Sequence, residues 1–142
     1  MAYTSVPVFS RKIKHVSVLG SGVMGSRIAC HFANIGVKVL LLDIAPESLT
    51  EAEQAKGLSL DNLAVKNRIV QDALQQAIKS NPAPLYSKAF ADRIQVGNFN
   101  DNLKDIAQSD WVIEAVVENL DIKNKLFEKV ELFRKPGTLV SS

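Results

Sequence analysis

A glycine-rich segment near the amino terminus is the first part of the sequence whose residue types and spacing could do chemistry. Residues 20–25, GSGVMG, match the pattern GxGxxG and follow an apolar run that ends at Leu19. In that pattern the first glycine permits a tight turn, the second lets a pyrophosphate approach the backbone, and the third lets a helix pack closely. An acid, Asp43, ends the next apolar run. This order is the dinucleotide-binding fingerprint, so we predict cofactor contacts from Gly20, Ser21, Gly22, Val23, Met24, Gly25 and Asp43.

Asp43 also predicts which nicotinamide cofactor binds. A carboxylate at this place accepts hydrogen bonds from the hydroxyls of the adenosine ribose, and it would repel the 2′-phosphate of NADP. The next residues, Ile44, Ala45 and Pro46, supply no arginine for such a phosphate. We therefore predict NAD. The structural alternative is that Asp43 caps the helix that follows it.

Polar residues directly follow a second buried run, Trp111-Val112-Ile113. Ligands of open α/β sheets bind at the carboxyl ends of strands, so this loop should face the nicotinamide half of the cofactor. The alternative is a solvated Glu/Lys pair near a helix N-terminus. The candidate contacts are Ala115, Val116, Glu118 and Lys123.

The elements around these residues alternate apolar runs with helix-period segments, which is typical of βαβ units with a parallel sheet. We predict an α/β fold with a Rossmann-type, doubly wound parallel sheet. Val16–Leu19 and Val37–Leu42 are its first two strands, and a helix between them ends at Gly36, which suits a left-handed C-cap. The side chains expected on the inward face of that helix are Met24, Ile28, Phe32 and Ile35, with Ala29 and Ala33 beside them.

A long helical excursion, Pro46–Ser80, follows the second strand and is interrupted or bent at Gly57. Its polar face carries Lys66 and Arg68. Between the second and third strands the chain spends some fifty residues, and excursions of about that size usually serve recognition. The apolar residues at helical spacing are Leu60, Leu63, Val70, Leu74, Ala77 and Ile78.

Regular alternation then resumes with strands at 94–96, 111–113 and 138–140 and a helix over 121–134. Its inward residues are predicted to be Ile122, Leu126, Val130 and Phe133. Leu139 and Val140 look like the middle of a buried strand. Because the sequence stops just after them, we expect residues 1–142 to be an incomplete NAD-binding domain, the front part of a longer enzyme.

Composition excludes several classes of protein. With 142 residues, 46% hydrophobic and 23% charged, the chain can bury a core and does not belong with disordered sequences. The 17 basic and 15 acidic residues are dispersed, which predicts no nucleic-acid partner. No apolar stretch is long enough to cross a bilayer. We expect a cytoplasmic protein, although the acid-free residues 1–14 faintly resemble a targeting peptide.

Three further side chains are poor catalytic candidates. His15 precedes the first strand and His31 lies on the first helix, so we expect both to be structural or solvated. Cys30 permits no internal disulfide, and its packed position predicts a small buried hydrophobe. We predict no metal site.

Two segments, VLGSGVMGSRIACHFANIGVKVLLLDI and SDWVIEAVVENLDIKNKLFEKVE, resemble the NAD-binding domain of the 3-hydroxyacyl-CoA dehydrogenases of fatty-acid β-oxidation. The resemblance implies that Asp43 holds the adenosine ribose and that Glu118 and Lys123 lie along the NAD site. It also implies that the excursion is a helical hairpin meeting the CoA part of an acyl-CoA substrate. Lys66 and Arg68 are then candidates for the CoA phosphates, with a solvated helix face as the alternative.

The same resemblance places the catalytic serine, histidine, glutamate and asparagine beyond Ser142, so no catalytic residue is expected within the chain. It implies a parent enzyme that oxidises (3S)-3-hydroxyacyl-CoA to 3-oxoacyl-CoA with NAD, and a fragment that binds NAD without turnover. In that family a helical C-terminal domain supplies the dimer contact. The alternatives are a small 3-hydroxyacid dehydrogenase and a non-catalytic, crystallin-like relative.

Overall fold

The computed structural model describes residues 13–80, 82–116 and 120–141, with the side chains of 120–122 outside the description. One parallel sheet runs through it in the strand order β3-β2-β1-β4-β5. Its direction of growth reverses between β1 and β4, which is the topological switch point of a doubly wound sheet. The predicted Rossmann-type fold is therefore confirmed. The strands are β1 His15–Leu19, β2 Lys38–Asp43, β3 Ile94–Asn98, β4 Trp111–Glu114 and β5 Leu139–Ser141.

Helices connect the strands and cover both faces of the sheet. The α-helices are α1 Val23–Asn34, α2 Glu51–Ala55, α3 Leu63–Lys66, α4 Arg68–Lys79, α5 Phe99–Asn102 and α6 Leu120–Phe133. Two 3₁₀-helices span Lys88–Arg93 and Leu103–Gln108. None of the helices within the described ranges combines the length and the apolar character that a membrane crossing requires.

The core consists of two clusters, one on each face of the sheet, because successive side chains of a strand point to opposite faces. The first cluster packs α1 and α4 on the sheet, and its buried members include Val16, Val18, Ala29, Cys30, Ala33, Val39, Leu41, Val70 and Leu74. The second packs α6 and the second 3₁₀-helix on the other face through Leu19, Leu42, Leu103, Ile106, Val112, Leu126 and Val130. Leu126 and Val130 of α6 are thus inward as predicted, and the side chain of Ile122 lies outside the described residues.

The inward face of α1 agrees with the prediction in part, since Ala29 and Ala33 are buried and Ile28 and Phe32 pack against the first core cluster. Met24 and Ile35 are 69% and 63% exposed, whereas the buried residues are small: Gly25, Ser26, Ala29, Cys30 and Ala33. In the first turn of the helix, the close approach of Gly25 to the carbonyl of Gly20 leaves room for small side chains only. Gly36 does adopt the predicted left-handed conformation after the helix, with φ of 89°.

The excursion after β2 is divided further than the sequence suggested. Instead of one bent helix it forms α2, α3 and α4, because Thr50 caps α2 with a capping box and Asn62 caps α3. Leu60 and Leu63, expected to be inward, are 42% and 62% exposed. Val70 and Leu74 of α4 are buried as predicted.

The last strand is also less buried than expected. Leu139 and Val140 are 39% and 36% exposed. In the described sheet β5 is an edge strand that pairs with β4 alone, and an edge position leaves a strand more accessible than a central one.

Candidate cofactor-binding site

The glycine turn is fixed between the carboxyl ends of β2 and β4. Gly20 has φ of 110°, a conformation that L side chains rarely adopt. Its N–H donates to the carbonyl of Leu42 at 2.7 Å. A Cβ on Gly20 would lie 2.9 Å from backbone atoms of Ala115 and Val116. The turn therefore requires glycine both for its backbone angle and for its contact with the end of β4.

The other two glycines of the motif differ in the space around them. A Cβ on Gly25 would lie 1.8 Å from the carbonyl oxygen of Gly20, so only glycine lets α1 pack this closely on the turn. A Cβ on Gly22, by contrast, would meet nothing within 4 Å. Gly22 is the N-cap of α1 and no side chain caps that helix. Its first-turn N–H groups are therefore available to an anion at the positive end of the helix dipole.

A cleft of about 370 Å³ opens beside Gly22, between the start of α1 and the second half of α4. Val23 and Met24, which follow Gly22, are 79% and 69% exposed. Large apolar side chains left open beside uncapped N–H groups provide a surface for a ligand that has both phosphates and rings. The cleft is lined by Ser21, Gly22, Val23, Ser26, Arg27, Ala73, Gln76, Ala77 and Ser80.

Asp43 joins the glycine turn directly. Its Oδ2 accepts hydrogen bonds from the Ser21 N–H at 2.8 Å and from the Ser21 hydroxyl at 2.5 Å. Its Oδ1 accepts from the Ile44 N–H at 2.7 Å. The alternative role as a helix cap is wrong, because Thr50 is the cap of α2. Each carboxylate oxygen has about two lone pairs, so Oδ1 retains a position for a ribose hydroxyl.

The structure brings part of the second predicted group to this turn. Ala115 and Val116 lie against Gly20, and Lys123 of α6 forms an ion pair with Glu114, Nζ to Oε2, at 3.7 Å. Glu118 lies outside the described residues. Sequence reasoning missed Glu114, whose side chain is only 2% exposed. Its position two residues after Val112 could have indicated it, because residues two apart in a strand point to the same face of the sheet and Val112 points inward.

Lys66 and Arg68 each form an ion pair with an acidic side chain of the same chain. The Lys66 ammonium contacts both carboxylate oxygens of Asp101, at 3.2 and 3.3 Å, and Arg68 pairs with Glu53 and donates to the Ser48 carbonyl at 3.2 Å.

These contacts lower the pKa of both acids. A hydrogen bond from Asn98, with a further one from Lys66, lowers the pKa of Asp101. The backbone N–H of Thr50 lowers that of Glu53 most, and Arg68 lowers it further. The role of Lys66 and Arg68 toward CoA phosphates stays a prediction.

The remaining reactive side chains lie as the sequence indicates. His15 and His31 are exposed. Cys30 is fully buried, and burial raises the pKa of its thiol despite the opposing charge of Arg27. Within the described ranges no three His, Cys, Asp or Glu side chains are grouped so that they could hold a metal ion.

Known proteins that resemble this chain in sequence or in structure include dehydrogenases. A Bacillus subtilis protein named "Probable 3-hydroxyacyl-CoA dehydrogenase" is 48% identical over 132 residues, covering 93% of this chain and 17% of that protein. A "Peroxisomal fatty acid beta-oxidation multifunctional protein" of Arabidopsis thaliana is 29% identical over 139 residues, 98% of this chain and 17% of that protein. The crystal structure of (S)-3-hydroxybutyryl-CoA dehydrogenase from Ralstonia eutropha matches with a TM-score of 0.57 and 25% identity, over 92% of this chain and 41% of that one.

The chain thus spans less than half the length of each of these proteins. The family model for the NAD-binding domain of 3-hydroxyacyl-CoA dehydrogenase matches residues 15–142. The glycine cradle, the open α1 N-terminus and the acid that ends β2 all fit NAD. The chain therefore belongs to the family of 3-hydroxyacyl-CoA dehydrogenase NAD-binding domains, and its cofactor is NAD.

Proposed function

We propose that this chain is the NAD-binding portion of an enzyme that oxidises (3S)-3-hydroxyacyl-CoA to 3-oxoacyl-CoA in fatty-acid oxidation. The observation that carries the proposal is the Ser21–Asp43 contact, which joins a ribose-binding acid to a glycine turn shaped for a pyrophosphate. The name of the Arabidopsis relative supports a role in fatty-acid oxidation.

The residues of this chain would hold the cofactor in three places. Asp43 accepts a hydroxyl of the adenosine ribose, the N–H groups after Gly22 bind the pyrophosphate, and the end of β4 supports the nicotinamide half. When bound, NAD accepts the hydride that leaves C3 of the hydroxyacyl group. By binding and orienting the dinucleotide, the described residues supply the cofactor side of the reaction.

We expect the chain by itself to show no turnover. Its two histidines lie away from the glycine turn: His15 begins β1, at the amino ends of the strands, and His31 is in the last turn of α1. A general base close to the reacting hydroxyl is needed for the oxidation. Reduction of acetoacetyl-CoA by NADH in the presence of this chain would contradict the expectation.

The excursion between β2 and β3 supports an acyl-CoA substrate over a small hydroxyacid. Three α-helices, α2 to α4, and the 3₁₀-helix Lys88–Arg93 occupy this crossover, where one helix would suffice to connect two parallel strands. Additional surface at this position suits a substrate much larger than a hydroxyacid. A non-catalytic relative would bind NAD equally well, and an activity assay of a full-length parent distinguishes it.

Calorimetric titration with NAD and NADP tests the proposal. The unaltered chain should bind NAD in preference to NADP. Asp43→Ala should lower the NAD affinity roughly 10- to 100-fold, the value of a hydrogen bond to a charged group. It should also reduce the ratio of the NAD affinity to the NADP affinity. Asp72→Ala, an exposed acid of α4, serves as the matched control. No NAD binding by the unaltered chain, or unchanged affinity in Asp43→Ala, would overturn the proposal.

A further inference from the structure

Glu114 is a buried acid at the switch point of the sheet. It is the last residue of β4 and pairs in register with Leu19 of β1. Its parity with Val112 directs its side chain toward α6, and that side chain is 2% exposed. Its Oε1 is buried and finds no hydrogen-bond partner among residues 13–80, 82–116 and 120–141. A charged side chain that is buried in a protein is normally paired with an opposite charge.

Lys123 supplies that charge from the start of α6. Its Nζ lies 3.7 Å from Glu114 Oε2, and its side chain is 35% exposed. This distance is an ion-pair contact but is longer than a hydrogen bond. The ammonium is therefore held electrostatically, and among residues 13–80, 82–116 and 120–141 no hydrogen bond engages its N–H donors, which can meet another acceptor. One end of the pair is buried and fixed, and the other reaches the surface.

The pair lies next to the glycine turn, on the side away from Asp43. Ala115, which follows Glu114, touches Gly20 and would be 3.5 Å from a Cβ on Gly25. In the sheet, β1 lies between β2 and β4. A dinucleotide with its adenosine ribose at Asp43 and its pyrophosphate over the end of β1 must extend its other half over the end of β4.

We infer that Glu114 is a positioning residue of the NAD site: its buried carboxylate holds the Lys123 ammonium where it meets the nicotinamide half of the dinucleotide. The inference rests on the proposed function and deepens it. It assigns the carboxylate an indirect role, since Lys123 and not Glu114 makes the contact.

A comparison of NAD with ADP-ribose tests this role, because ADP-ribose lacks the nicotinamide. Glu114→Gln keeps the side-chain shape and removes the charge. It should weaken NAD binding about tenfold in calorimetry and leave ADP-ribose binding within twofold. Lys123→Met should give the same pattern, and the double variant should lose no more than either single one, as expected for groups acting through one contact. Glu131→Gln, an exposed acid of the same helix, is the matched control.

Other outcomes overturn the inference in distinguishable ways. If Glu114→Gln weakens both ligands equally, or neither, Glu114 has a structural role only. If Glu114→Gln does not fold, as judged by circular dichroism, the partly exposed Lys123→Met variant provides the same comparison, and equal effects on both ligands overturn the inference. If the unaltered chain binds neither ligand, the proposed function fails and this inference fails with it. If the unaltered chain binds both ligands and the Glu114 and Lys123 variants behave like the control, this inference alone fails.

Discussion

Ser21 donates both its backbone N–H and its hydroxyl to the same oxygen of Asp43, Oδ2, at 2.8 and 2.5 Å. The second residue of the glycine turn and the acid that ends β2 therefore form one unit, although 21 residues separate them. Ser21 is 1% exposed. A side chain that the GxGxxG pattern leaves unspecified thus fixes the carboxylate that we propose as the ribose contact.

Removal of the Ser21 hydroxyl tests this unit. In Ser21→Ala the N–H contact to Asp43 remains and the hydroxyl contact is lost. We expect the unfolding free energy and the NAD binding free energy each to fall by about 1 kcal/mol, the usual value of one hydrogen bond. Urea unfolding and calorimetry measure the two. Ser59→Ala, at an exposed position of the excursion, is the control, and equal NAD affinity of the two variants would contradict the prediction.

Alanine substitutions at the two glycines near the start of α1 should have different effects: Gly25→Ala should lower stability, and Gly22→Ala should lower NAD affinity. In Gly25→Ala the new methyl group would lie 1.8 Å from the Gly20 carbonyl oxygen, so we expect a loss of about 3 kcal/mol of unfolding free energy. In Gly22→Ala the methyl group enters open space and the backbone has φ of −57°.

Gly22→Ala should therefore remain folded, with a change in unfolding free energy below about 1 kcal/mol. Its NAD affinity should fall because the methyl group occupies the space of the pyrophosphate. Thermal unfolding and calorimetry of the two variants check this contrast. Wild-type NAD affinity in Gly22→Ala would show that the pyrophosphate does not approach the backbone there.

We predict that the Asp110 carboxylate makes the unfolding free energy decrease in acid. Its Oδ2 accepts from the N–H groups of Lys14 and His15 at 2.9 and 3.1 Å, and its Oδ1 accepts from Lys135 at 2.9 Å. Burial works to raise the pKa of this carboxyl, but the hydrogen bonds from Lys135, Lys14 and His15 outweigh it and lower the pKa from 3.8 to about 2.

Because the folded-state pKa lies below the unfolded value, the stabilisation by Asp110 is fully present above about pH 4 and is lost as the pH falls toward 2. We expect Asp110→Asn to cost about 1–2 kcal/mol at pH 7, after allowance for solvent screening, and less at pH 2. Urea unfolding at several pH values measures this. An equal cost at pH 7 and pH 2 would contradict the assigned titration. Asp72→Asn is the control.

We predict that hydrogen bonds of Asn98 fix the helical excursion between β2 and β3 to the carboxyl end of β3. It is fully buried, and its amide donates to Asn67 at 2.9 Å and to Asp101 at 3.3 Å. Asn98→Ala removes these donors and leaves the Asn67 carbonyl without this partner, so we expect a loss of about 2 kcal/mol. Urea unfolding should show it, with the exposed Asn100→Ala as control. Equal stability of the two variants would show that the network is not needed.

The sequence predicted the fold, and it singled out the glycine turn and the acid at position 43, because those signals are local. One or two neighbouring elements of the sequence are enough to recognise a strand such as Val16–Leu19, the glycine turn or the acid at position 43. The left-handed Gly36 belongs to the same class, since only the turn after a helix decides it.

Burial was predicted less well, because it depends on how close two elements come. Met24 and Ile35 satisfy the apolar period of α1, yet both are exposed. Met24 lies in the first turn, where Gly25 contacts the glycine turn and only small side chains fit, and Ile35 lies beyond the last residue of the helix. Leu63 likewise satisfies a helical period that the caps of α2 and α3 interrupt.

By itself, then, the sequence determined the parallel sheet, the glycine turn and the preference for NAD, since these follow from periodicity and residue type. The tertiary structure decided which polar side chains meet: Ser21 with Asp43 through hydrogen bonds, and Lys66 with Asp101 and Lys123 with Glu114 as ion pairs. No spacing along the chain encodes those pairs. They arise because the strand order places the carboxyl ends of β3, β2, β1 and β4 side by side, and Asp101 lies in α5, which directly follows β3.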